Sequence, residues 1–173
     1  MLRRILFFVL PLIAIFSFSK SASAQVFYPE YGVGSPMEYS YTFTPQPPRA
    51  RHDNRIDPRL LRAARIAEEH AYPHSICRCW RYVKDALIEA GAVKERPTTN
   101  YACEAGSELQ NKYGFVRLPI HDPYRAPVGS VLVYSGGGAG HVEFRTEHGF
   151  ASDYRSAWRC RYHLIGVYAK LSV

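Results

Sequence analysis

The sequence predicts an α+β fold in which helices come first and an antiparallel sheet follows. Three observations predict it. Apolar residues recur at helical spacing between residues 57 and 91. After Gly114 the texture changes to short β-branched and aromatic runs separated by turn residues. The two patterns are segregated along the chain rather than alternating, as α+β domains require.

The chain opens with Arg3-Arg4, an apolar run from Ile5 to Phe18, and the small residues Ala22-Ser23-Ala24 before Gln25. This is the layout of a secretory signal peptide over residues 1–24. The run falls short of the roughly 20 residues that span a bilayer, and Pro11 interrupts it. The expectation is therefore an exported protein, periplasmic or extracellular, with no stable membrane insertion after cleavage. Cleavage would remove Arg3, Arg4 and Lys20 and no acid, so the charge falls from +7 to +4. A charge that modest in an exported chain argues against nucleic acid as a partner. The hydrophobic fraction of 47% excludes a disordered protein, and four cysteines are too few for a disulfide scaffold.

Residues 25–56 are rich in Tyr, Pro, Ser and Gly and hold no lasting period. They read as an extended arm or linker ahead of one domain at 57–173. Asp57-Pro58 supplies an N-cap and a first helical residue for a helix to about residue 70. Six arginines between Arg49 and Arg65, followed by Glu68 and Glu69, read as a solvated charged face. A second helix is predicted from Cys79 to Gly91, where glycine caps it, and a third over 101–113, ending at Gly114. Strands are predicted at 115–118, 131–134, 141–146 and 164–171, with 149–155 pairing back on 141–146 as a hairpin.

Cys79, Val83, Ala86, Leu87 and Ala90 share one face of the second helix. Cys79 thus stands in the first turn, on the side that packs on the sheet. Unsatisfied N–H groups and the helix dipole favour a thiolate there. A thiolate nucleophile needs a base beside it. His141 follows the glycine-rich turn 135–140 and starts a strand, so its ring can stand at the sheet's end. Alternation puts His141 and Glu143 on one face, and the pair meets Cys79 if the second helix covers that face. A third polar group should orient the imidazole. Asp153, on the hairpin's partner strand, is the first candidate. Glu143 is the second, because it would have to reach back along its own strand.

At these residues the chain resembles the CHAP family of cysteine, histidine-dependent amidohydrolases and peptidases, and more broadly the NlpC-like branch of papain-fold cell-wall hydrolases. Cys79-Trp80-Arg81-Tyr82-Val83 resembles the nucleophile motif, and Gly140-His141-Val142-Glu143-Phe144 the Gly-His-hydrophobic motif. Pro127 to Leu132 resembles the strand entry before the histidine, and Ser152-Asp153 is similar in position to the third polar site. The resemblance covers roughly residues 60–172. It implies a papain-like α+β domain that cleaves amide bonds in peptidoglycan, as endopeptidase or N-acetylmuramoyl-L-alanine amidase, with stem peptides as substrate. It implies no cofactor and no metal. Cys79 would form an acyl-enzyme and His141 would carry the proton. The chain departs from the family pattern in the spacing after His141 and in a second thiol, Cys77, near the nucleophile. Cys77, Cys103 and Cys160 leave several disulfide pairings open.

Two other readings compete. His74, Cys77, Cys79, Cys103 and Cys160 are zinc ligand types, but Cys-x-Cys is not the usual spacing and no second close pair exists. A non-catalytic cell-wall-binding or structural module would keep the fold and use aromatic residues such as Trp80, Tyr134 and Tyr154 as groove or core.

Overall fold

A computed structural model describes residues 47–172. The predicted leader, and the predicted arm as far as residue 46, lie outside the described residues. The described chain is α+β, with three helices packed on a six-stranded antiparallel sheet.

Helix α1 runs Pro58–His70, with the Asp57 carboxylate accepting from the Arg59 N–H at its N-terminus. Its apolar face, Leu60, Ala63, Ala64 and Ala67, is buried. Helix α2, Cys79–Glu89, buries Val83, Ala86 and Leu87 and packs against both α1 and the sheet. Gly91 follows it with φ +68°, the left-handed conformation that only glycine adopts without penalty. The third helical segment is split. A 3₁₀ turn at Ala102–Glu104 leads into α3, Ala105–Tyr113, which ends at left-handed Gly114.

The strands are β1 Val116–Leu118, β2 Val131–Ser135, β3 His141–Arg145, β4 Phe150–Ala151, β5 Arg155–Ser156 and β6 His163–Ala169. Their order across the sheet is β1-β6-β2-β3-β4-β5. The register pairs Val133 with Val142 and Tyr134 with His141. Val131, Val133, Val142 and Phe144 face the helices and build the main core. Leu132, Tyr134, Phe150 and Val167 form a second, smaller core on the opposite face.

Residues 51–56 touch the segments that flank the strands. Arg51 bridges to Pro127, Ile56 bridges to Leu171, and Ile56 is fully buried. Among the described residues no helix is long and apolar enough to cross a membrane.

Candidate active site

Cys79 is the first residue of α2, partly buried against the main core. The segment just before it is irregular: Cys77 has φ +58° and is exposed. That conformation disfavours any residue with a Cβ, so surrounding bonds must hold it. They come from Asp153, in the tight turn between β4 and β5. Its fully buried carboxylate accepts the Ile76 N–H at 2.8 Å, the Arg78 N–H at 3.0 Å and the Ser75 hydroxyl at 3.1 Å. The Ser152 hydroxyl adds a fourth bond at 3.1 Å. Burial alone would raise this carboxyl's pKa, but the four donors outweigh burial and lower it. The backbone repeats the link, with the Tyr72 N–H donating to the Asp153 carbonyl at 2.9 Å.

His141 opens β3 directly after Gly140, which sits at φ +72°. A Cβ at Gly140 would lie 2.5 Å from the Tyr134 carbonyl and 2.8 Å from Cys103 Cβ, so the approach to His141 requires glycine. The imidazole is buried between the rings of Tyr134 and Tyr154, each with its centroid 6.0 Å away. Its Nε2 lies 3.1 Å from Glu143 Oε2. The Cys79 thiol lines the same cleft as this ring. Burial would lower the pKa of this ring. The neighbouring Cys79 thiol and the Glu143 carboxylate overcome burial and raise it to about 10.

Glu143 is itself buried, and the Tyr134 hydroxyl donates to its Oε1 at 2.8 Å. Both carboxylate oxygens are therefore used, one by the histidine and one by the tyrosine. Burial beside this carboxylate pushes the Tyr134 hydroxyl pKa well above its ordinary value, so Tyr134 stays a donor.

The four expected residues thus divide. His141 and Glu143 are hydrogen-bonded, and Cys79 lines the same cleft as His141. Asp153, the first candidate to orient the histidine, is instead spent on the loop before the nucleophile. Its side chain is short, and four donors already surround it. Glu143 does reach back, because two residues of strand advance only roughly 6.6 Å and a long side chain closes that gap. The meeting of Cys79 and His141 also differs from the expected route. His141 and Glu143 pair with Tyr134 and Leu132, whose side chains fill the face away from the helices. The thiol and the ring nevertheless line one cleft. Tyr134 was expected only as groove or core, although its position opposite His141 across the hairpin turn is the signal of its role.

A cleft of about 480 Å³ opens over the pair, walled by Cys77, Arg78, Trp80, Asn100, Gly137 and Tyr162 among others. All four cysteines carry free thiols. Among the described residues no three His, Cys, Asp or Glu side chains converge as a metal site would require.

No protein-family model matches the chain, and no curated protein matches it in sequence. Solved structures do. One chain of the crystal structure of the type VI native effector–immunity complex Tae3–Tai3 from Ralstonia pickettii is 25% identical, with a TM-score of 0.51. The match covers 64% of this chain and 98% of that one. The selenomethionine form of the same complex matches at 28% identity over 54% of this chain and 80% of that one, with a TM-score of 0.44. Over nearly two thirds of its length, the chain is similar in fold to a component of a type VI effector–immunity complex.

Proposed function

We propose that the protein is an exported cysteine hydrolase that cleaves amide bonds in peptidoglycan, with Cys79 as nucleophile, His141 as proton carrier and Glu143 as the group that orients His141. One observation carries the reading: a buried imidazole bonded to a buried carboxylate lines an open cleft together with a thiol at a helix N-terminus. The residues that resemble the CHAP and NlpC-like motifs are the ones assembled here. The likeness to a component of a type VI effector–immunity complex supports the same class of fold.

The chemistry follows from the geometry. The Cys79 thiolate attacks the amide carbonyl and forms a tetrahedral adduct, whose oxyanion faces the unsatisfied N–H groups of the first turn of α2. The C–N bond then breaks. His141 donates its proton to the departing amine, and a thioester remains on Cys79. Water, deprotonated by His141, hydrolyses the thioester and frees the Cys79 thiolate beside the reprotonated His141. Glu143 stabilises the imidazolium and fixes the ring. Asp153 acts as a positioning residue through the loop that carries Cys79.

Purified protein should release new amino groups from peptidoglycan. Cys79→Ala and His141→Ala should each lower the rate by at least about a thousandfold. Full activity in Cys79→Ala would remove the nucleophile assignment. Wild-type protein that binds the wall but releases nothing would favour the non-catalytic binding module.

A further inference from the structure

A second groove, of about 510 Å³, lies beside the catalytic cleft and shares the side chain of Tyr162 with it as a common wall. It is lined by Arg117, Arg159, Arg161, His121 and His163, with Asp122 as its lone acid. Asp122 is already engaged, its Oδ1 accepting the Tyr124 N–H at 3.0 Å. Among the described residues none of the three arginines enters an ion pair. Two of them are nevertheless held in place. Arg117 donates through Nη2 to the Ile165 carbonyl at 2.5 Å, and Arg159 donates through Nη1 to the Cys160 carbonyl at 3.2 Å. Each keeps its remaining N–H donors free in a fixed orientation, which suits carboxylates. The catalytic cleft also has no acidic side chain in its lining, and Arg78 and Arg81 stand on its rim. A negatively charged chain therefore meets one like charge, Asp122, against three arginines along the groove and none in the cleft.

We infer that this groove is an extended substrate subsite that takes a carboxylate-bearing arm of the polymer whose amide lies at Cys79. The inference rests on the proposed hydrolase reading for the identity of that polymer. Tyr162 is the hinge point of the path. Its ring packs on the glycine turn before His141, where a Cβ at Gly136 would lie 2.7 Å from it, so substrate passing over it crosses directly from cleft to groove.

The test separates binding from catalysis. In a Cys79→Ala background, which cannot turn over, binding to insoluble peptidoglycan is measured for Arg159→Glu/Arg161→Glu. The comparison variant, Arg62→Glu/Arg65→Glu, makes the same charge change on α1. Circular dichroism and thermal melting confirm that both fold. The groove variant should bind about tenfold more weakly at low salt, the effect of two exposed ion pairs lost, while the α1 variant changes little. The difference should vanish in high salt and on peptidoglycan whose carboxyls have been converted to amides. In the active background, KM should rise by a similar factor with kcat unchanged. Equal binding by both variants overturns the subsite, and so does a loss that persists on amidated wall. If the groove variant loses binding while wild type cleaves nothing, the subsite stands and the hydrolase reading fails.

Discussion

His141 owes its raised proton affinity largely to two neighbours, and one of them can be neutralised without a change of shape. Glu143→Gln removes the negative charge at Nε2 and should lower the His141 pKa from about 10. The alkaline limb of the kcat/KM profile, where the imidazolium is lost, should then move down by about 1–3 pH units. An unmoved limb would show that Glu143 does not govern the proton. Asp153→Ala makes a different prediction. The N–H groups of Ile76 and Arg78 would lose their acceptor, and the left-handed Cys77 would lose its anchor. The variant should lose about 2–4 kcal/mol of stability in urea unfolding. In the fraction still folded, Cys79 should alkylate more slowly, as peptide mass mapping would show. Both roles were hard to read in the sequence. The side chain of Glu143 had to be placed in a particular rotamer. Asp153 makes contacts 75 to 78 residues away in the chain, which no local pattern encodes.

Element boundaries follow local chemistry and were legible. Asp57-Pro58 starts α1, Gly91 follows α2, and Gly114 ends α3. The face of the sheet that the helices cover was not legible. β2 and β3 are buried on both sides, so alternation carries no polar face to orient them. The turn between β2 and β3 is the element on which the site depends. Gly140→Ala places a methyl group against the Tyr134 carbonyl in a left-handed conformation. It should destabilise the protein by about 2 kcal/mol or more and shift His141 away from the thiol. Thermal melting and activity, measured on the same sample, should both fall. An active and equally stable variant would mean that the turn relaxes freely.

Across the whole molecule, two kinds of buried ionisable group set opposite limits on stability. Glu108 accepts from the hydroxyls and N–H groups of Thr98 and Thr99. Burial works to raise its pKa, and those bonds overcome it and lower the value from 4.5 to about 2. Its contribution, like that of Asp153, is present above the unfolded carboxyl pKa and is lost as pH falls through the folded one. His141 has the opposite sign. Its contribution is full below 6.5 and fades as pH rises through about 10. Unfolding free energy should therefore fall in acid between about pH 4.5 and 2, and again in alkali toward about pH 10. Urea titrations across that range would show it. Glu108→Gln should flatten the acid side, and Glu143→Gln the alkaline side.

Arg145 gives the described fold a requirement at its leading edge. This guanidinium is almost wholly buried, stacks 4.7 Å from the Phe150 ring, and binds the Gly149 carbonyl at 2.6 Å. Its Nη2 donates to the Pro48 carbonyl at 3.1 Å. A chain shortened to begin at residue 57 would strand half of that cation without an acceptor and strip Ile56 from Leu171. The smallest piece that folds well should therefore start no later than Pro48, and a protease added to the native protein should stop short of that carbonyl.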